Sequence, residues 1–320
     1  MRPSDALFRV TVTLFAAVIP LSLLVLLLFL LHDAWPAIRF NGVDFLFKNA
    51  WNLGNQYGNP VTVHGQQVMP GASFAILFLI VGTLASSLIA LLLAVPLGVG
   101  AAIFLAEAVP AGLRSYLALL VELLASVPSV VFGLWGYVVL IPLLAHHVYP
   151  HLARWLSGVP FLGPPPGSGY GLLTAGIVLA LMCVPLIAAN LREAIEATPQ
   201  ALREAGLAVG ATRFEIVRKI ILPRLRLPLI GVSTLALGRA LGETMAVLMI
   251  SGNALNILPG NIYSPISTMA SFMVSQLDSA LQDPTNMAVY GIAEIGLALL
   301  LLSLLVNAVA RVLMPRGLSA

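Results

Sequence analysis

Arg239 and Glu243 stand four residues apart in the stretch LGRALGETMAVLMISGN, inside an otherwise apolar segment. An arginine or a carboxylate midway across a bilayer costs about 2.5–3.5 kcal/mol on insertion scales, while each leucine-like neighbour contributes about 0.3–0.6 in favour. The segment therefore tolerates both, and at i, i+4 spacing the two share a helical face and can pair. Gly238 and Gly242 beside them form a G-x-x-x-G step that admits the backbone of a neighbouring helix, so the pair is expected to face protein or a wet pathway rather than lipid. Two chemistries fit. One is a structural ion pair that fixes helix register. The other is an anion site, in which the guanidinium offers paired donors to a tetrahedral oxyanion and the carboxylate accepts a proton from hydrogen phosphate. Fully ionised sulfate would be repelled by Glu243.

The elements that must position such a pair follow from composition. Of 320 residues 59% are hydrophobic and 9% charged, which a soluble chain could not carry without large exposed apolar patches. Spanning about 30 Å of hydrocarbon takes roughly 20 apolar helical residues. Six runs of that kind occur, at residues 10–31, 74–104, 115–144, 171–191, 229–250 and 287–313. None alternates in polarity as barrel strands do. The expected fold class is an all-α integral membrane protein with six transmembrane helices. The division expected is residues 1–31 for an N-terminal cytoplasmic segment and first span, 32–73 for an external loop, 74–313 for a five-helix core, and 314–320 for a cytoplasmic tail. The first run is too long for a cleaved signal peptide. Cys183 is the single cysteine, so no disulfide forms within the chain.

Basic residues set the orientation. With the N-terminus inside, twelve Lys and Arg fall on the cytoplasmic side, while only Arg39, Lys48 and Arg154 lie opposite. Both termini are thus expected in the cytoplasm. The basic residues are interrupted by apolar ones and lack an aromatic platform, so they do not read as a nucleic-acid footprint. Two external connections look suited to docking: residues 32–73, rich in Asn, Gly and aromatics, and GVPFLGPPPGSGYG, whose prolines favour an extended run. His146, His147 and His151 cluster outside with no Cys or carboxylate beside them, and read as solvated side chains rather than a metal site. Glu294, in the last run, is expected near the outer interface. Glu122 precedes Ser126, Pro128 and Ser129; the proline removes a donor and frees a carbonyl, so this turn reads either as pathway lining or as a simple interfacial carboxylate.

Between the fourth and fifth runs, residues 192–226 carry explicit local signals. Thr198-Pro199 reads as an N-cap with proline at the first helical position, Gly210 as a left-handed stop, and Thr212-Arg213-Phe214-Glu215 as a capping box opening a second helix. A short helix, a sharp turn and a second helix returning to the membrane are expected. Such a connection serves equally as a plain joint or as a partner's docking point. No P-loop is present: the two lysines, Lys48 and Lys219, are not preceded by glycine.

Glu204-Ala205-Gly206, three residues, Gly210, nine residues, then Ile220-x-Leu222-Pro223 resembles the EAA motif of ABC importer permeases, with Gly206 replacing the second alanine. That replacement is expected to loosen the short helix by about 1 kcal/mol. GRALGETMAV followed by SGN, ELLASVPSVVFGLWG at residues 122–136 and EIGLALLLLSLLVNAVAR at residues 294–311 resemble the PstC-type permease subunits of bacterial phosphate-specific ABC importers. The resemblance covers the chain from about residue 74 onward and is weakest in residues 32–73. It implies a type I (MetI-like) ABC importer permease fold in the bacterial inner membrane, a PstA-like partner permease, a PstB-like ATPase dimer binding ATP and Mg, and a PstS-like external receptor. It also implies a coupling helix built on Glu204, Ala205, Gly206 and Gly210, with Arg203 and Arg213 beside it, and a phosphate pathway through Arg239, Glu243 and Thr244, joined by Glu122, Ser126 and Ser129. No catalytic residue, cofactor or metal is expected in this chain. Sulfate or molybdate as cargo, a mainly sensory role, and a secondary transporter without ATPase are the alternatives, the last disfavoured by the EAA-like loop and the lack of an evident inverted repeat.

Overall fold

A computed structural model describes residues 3–155, 158–159, 161–163 and 168–313. The proline run 164–166 and the tail 314–320 lie outside the described residues. In chain order the helices are α1 (Pro3–Asn41), α2 (Asp44–Phe47), α3 (Leu77–Ala108), α4 (Ala111–Ala125), α5 (Ser129–Leu152), α6 (Leu172–Glu196), α7 (Gln200–Ala208), α8 (Arg213–Arg224), α9 (Arg226–Leu241), α10 (Met245–Ile250), α11 (Met269–Leu281) and α12 (Met287–Leu313). Four short strands, β1 (Trp51–Asn52), β2 (Val61–Val63), β3 (Gln66–Val68) and β4 (Ser73–Phe74), pair antiparallel as β1 with β4 and β2 with β3. Among the described residues five helices are long and apolar enough to cross a membrane, and the bent pair α8–α9 brings the number to six if it counts as one span.

The chain forms two compact units. One comprises residues 1–76 and 276–301. Here α1 continues as helix through Pro36 to Asn41, ten residues past the apolar run read from the sequence, and stops where Gly42 takes φ +57°. What remains of the loop expected at residues 32–73 carries both strand pairs, the last strand running one residue beyond it. Trp51 packs edge-to-face on Phe74 at 5.0 Å, and Gly291 lies against the Trp51 ring. The extension of α1 brings Asn41 Nδ2 to donate to Glu294 Oε2 at 2.8 Å, so Glu294 is buried rather than solvated.

The second unit comprises residues 77–275 and 302–320. Its centre is α3 against α6, where small residues let the backbones close: a Cβ on Gly98 would lie 2.6 Å from Ile187 Cγ2, and one on Gly176 2.4 Å from Ile89 Cγ2. The first amides of α6 have no partner within their own helix. Leu172 and Leu173 donate instead to the carbonyls of Ser264 and Ile262, an approach tight enough that a Cβ on Gly171 would sit 2.3 Å from the Tyr263 carbonyl.

The third apolar run, expected as one span over residues 115–144, is broken. Helix α4 ends at Ala125, Ser126 Oγ turns back onto the Leu123 carbonyl, and α5 starts after Pro128. Proline lacks the N–H needed to continue the ladder and keeps the preceding residue out of helical conformation. The span is therefore Ser129–Leu152, and it takes in His146, His147 and His151. Around Pro142 it carries two π-helical turns, Gly136–Leu140 and Leu144–Val148.

Helix α11 was not expected. Its start is set by Thr268 and Ser271, whose hydroxyls each accept the other's amide, while Thr83 Oγ1 accepts from Met269 N.

Candidate functional site

The fifth span is two helices meeting at an angle with a third behind them. Helices α8 and α9 bend by 64° at Leu225. Pro228 lacks the N–H that would have bonded the Arg224 carbonyl, which lets the bend form. Helix α9 then ends at Leu241, with Gly242 as its cap, and α10 starts at Met245. Gly242 holds a helix weakly, and the Glu243 carboxylate accepts from Ala246 N at 3.3 Å, so this side chain satisfies one of α10's free amides. Thr244 Oγ1 donates to the Gly242 carbonyl at 3.2 Å.

This break corrects the expectation of a continuous helix with a bonded pair. Arg239 lies at the end of α9 and Glu243 in the joint, and no ion pair connects them. Among the described residues the Arg239 guanidinium makes no hydrogen bond or ion pair, and the side chain is only partly buried. Cys183 Sγ of α6 reaches the Ala236 carbonyl at 3.6 Å, so α9 lies against α6 about one turn before Arg239. Among the described residues the glycine step has no tenant: nothing comes within 4 Å of a Cβ built on Gly238, and only α9's own carbonyls approach Gly242. The open face and the free guanidinium coincide. The other side of the joint is firm, because α10 rests on α5 so closely that a Cβ on Gly133 would be 2.9 Å from Ala246 Cα.

The other residues expected along a pathway have partners of their own or open a helix. Glu122 accepts from Arg192 Nη2 at 3.0 Å, and Arg192 also approaches Glu196 at 3.9 Å. This places Glu122 beside residues at the end of α6 that leads into α7. Ser126 is exposed and bonded to its own backbone, and Ser129 opens α5.

The 192–226 connection is built much as its local signals indicated. Gly210 has φ +84°, and the Thr212–Glu215 capping box is reciprocal. The Thr212 amide, then the Lys219 ammonium and the Thr212 hydroxyl, hold the Glu215 carboxyl down at about 2. Two details differ. The N-cap of α7 is Pro199, without a side-chain cap, and Thr198 is buried one residue earlier. Gly206 is buried against Ile216 and Ile220 of α8, where an added Cβ would lie 3.1 Å from each side chain. The missing methyl is therefore close packing as well as lost helix propensity. Arg203 fastens α7 to its surroundings by pairing with Glu107 at the end of α3 and donating to the Ile195 carbonyl. Glu107 had not been singled out, although it is the first acidic residue after Asp44 and stands at the end of a span. Glu204, Ala205, Val209, Arg213 and Phe214 face solvent, with Val209 84% and Phe214 70% exposed.

Residues 94–317 match the family model described as the binding-protein-dependent transport system inner membrane component. The phosphate transport system permease protein PstC 1 of Mycobacterium tuberculosis (strain ATCC 25618 / H37Rv) is 46% identical over 287 residues, covering 89% of this chain and 85% of its own length. PstC of Pasteurella multocida (strain Pm70) is 36% identical over 317 residues, covering 98% and 92%. The chain belongs to the PstC permease family. Its fold is that of ABC importer permeases: it resembles a chain of a bacterial transporter importing the acidic polysaccharide alginate, with TM-score 0.50 and 17% identity over 74% of this chain and 79% of that one. The same kind of transporter, crystallised with an alginate pentasaccharide-bound periplasmic protein, matches with TM-score 0.51 and 16% identity over 73% and 76%. It is an inner-membrane transport permease subunit. Among the described residues no group of three or more His, Cys, Asp or Glu is arranged to hold a metal ion.

Proposed function

We propose that this chain is the transmembrane permease subunit of an ATP-driven phosphate importer, a reading supported by relatives named phosphate transport system permease proteins. The observation that carries the reading is the unpaired Arg239 guanidinium beside an unoccupied glycine step at a break in the fifth span. A partly buried arginine with free donors binds a tetrahedral oxyanion through charge-assisted hydrogen bonds. The face left open over Gly238 and Gly242 suits a homologous, PstA-like permease, so that the phosphate pathway runs between two chains. Glu243, across the joint, admits phosphate in its protonated form and repels sulfate, and Thr244 adds a neutral hydroxyl, while Glu122 stays committed to Arg192 and stands outside the pathway. A single modest site suits transport, since tight binding would slow release.

The energy comes from a PstB-like ATPase dimer holding ATP and Mg, seated on the exposed apolar and charged surface of Glu204, Ala205, Gly210 and Arg213, with Val209 and Phe214 as its apolar anchors. Arg203 transmits the load through Glu107. A PstS-like receptor delivers phosphate on the outer face. ATP-driven uptake of radiolabelled phosphate by proteoliposomes of the four-component complex tests the reading: a large excess of sulfate should leave uptake unchanged, and strong competition by sulfate would overturn the assignment of cargo.

A further inference from the structure

A polar cleft of about 420 Å³ lies among the starts of α4 and α7 and the end of α6, lined by Arg114, Glu196, Thr198, Gln200 and Arg203. The three arginines at this end of the unit are not alike. Arg192 pairs with Glu122 and Glu196, and Arg203 pairs with Glu107 and the Ile195 carbonyl. Arg114 has no ion pair; its Nη2 makes one long hydrogen bond of 3.4 Å to the Val109 carbonyl, and its Nε is sealed from solvent with no acceptor. The rest of the Arg114 fork has no acceptor among the described residues, and a guanidinium lining a cleft gains most from an acceptor that enters it. Across the cleft, α7 begins without a side-chain cap, so the first amides of this nine-residue helix also lack a protein acceptor from a capping side chain. Glu196 is the one carboxylate on the lining, and it is turned toward Arg192.

We propose that this cleft is a second anion site, distinct from the Arg239 neighbourhood, and that it takes a phosphate group through the Arg114 fork. The group is either the headgroup of an anionic phospholipid or free inorganic phosphate from the cytoplasm. Planar, forked donors select phosphate over a monovalent halide. An occupant bonded to Arg114 and to the start of α7 ties the short helix of the connection to α4, so binding there bears on the position of α7.

The experiment uses the full-length chain in nanodiscs, with Arg239→Gln in every sample so that the first site does not contribute. In one arm the discs contain phosphatidylglycerol, and native mass spectrometry counts lipid retained by the protein. In the other, discs of phosphatidylcholine are titrated with radiolabelled inorganic phosphate. Arg114→Gln should lower retention or affinity by about tenfold or more, the loss of one charge-assisted interaction. Arg114→Lys should fall between, keeping charge but not the fork. Gln200→Glu, at an exposed rim position, should weaken the same binding without touching Arg114. A response in the first arm identifies a lipid headgroup, and in the second free phosphate. No binding in either arm, or binding indifferent to both Arg114→Gln and Gln200→Glu, overturns the proposal.

Discussion

Replacing Arg239 by glutamine separates a transport role from a structural one, because the two predict opposite patterns of loss. The guanidinium makes no hydrogen bond or ion pair among the described residues, so its removal orphans no partner. Substitutions of that kind change stability by about 0.5 kcal/mol or less. Had Arg239 and Glu243 formed a locked intramembrane pair, removing one member would cost about 3–5 kcal/mol. At about 2 °C per kcal/mol for a chain this long, the readings differ by a fall of roughly 6–10 °C against about 1 °C. Transport should respond the other way. One charge-assisted hydrogen bond to the oxyanion is worth about 1.5–3 kcal/mol, and 1.4 kcal/mol is tenfold, so uptake at limiting phosphate should drop by roughly 10- to 150-fold. Arg239→Lys should fall between, since it keeps the charge and loses the fork. The assays are thermal melting of the purified chain and phosphate uptake by the reconstituted complex. A melting point lowered by several degrees with uptake preserved would refute the reasoning and restore the ion-pair reading.

Three further outcomes can be checked on the same preparations. Gly210→Val meets no neighbour, since nothing lies within 4 Å of a Cβ there, but it forces a branched residue to φ +84°; a cost of about 1–2 kcal/mol is expected, with Gly210→Asn recovering most of it in thermal melts. Glu215, held at about 2 against an ordinary 4.5, stabilises the start of α8 fully above pH 4.5, and that support is lost as pH falls toward 2; a carboxyl carbon resonance of Glu215 titrating near 4.5 in the folded protein would contradict the capping box. Glu122→Gln breaks a pair whose carboxylate is half exposed, so stability should change by about 1 kcal/mol or less and uptake should persist, whereas lost uptake would return Glu122 to the pathway.

The long spans were legible because apolar runs of bilayer length have one common solution, helix, and the loop at residues 198–215 was legible because its turn chemistry is local: Gly210 and the Thr212–Glu215 box work with residues three or four apart. What escaped depends on events that hydropathy does not register. Residues 115–144 are apolar on both sides of Pro128, so the run looks continuous although the ladder is cut. Helix α11 has thirteen residues, too few for a span, and its start depends on Thr83 from a distant helix. Spacing placed Arg239 and Glu243 on one face, yet it could not report that Glu243 would serve the Ala246 amide instead. Gly206 looked like a weak residue in a short helix, and only the approach of Ile216 and Ile220 gives it a packing role.

The break between α9 and α10 makes mechanical sense of these departures. Arg239 rides on α9, which continues through the Leu225 bend from α8, and α8 is packed by Ile216 and Ile220 onto Gly206 of α7. Glu243 sits in the joint and is bonded to α10, which is held against α5 at the Gly133–Ala246 contact. The two ionisable groups therefore belong to bodies with different anchors. A continuous helix would hold their separation constant at one turn, and a load applied at α7 would carry both together. With the helix broken over the three residues 242–244, the same load can turn the guanidinium relative to the carboxylate. An anion bridged to Arg239 would then feel more or less of Glu243's charge as the connection moves, which is the differential interaction that a ligand and an energy source must share if one is to drive the other.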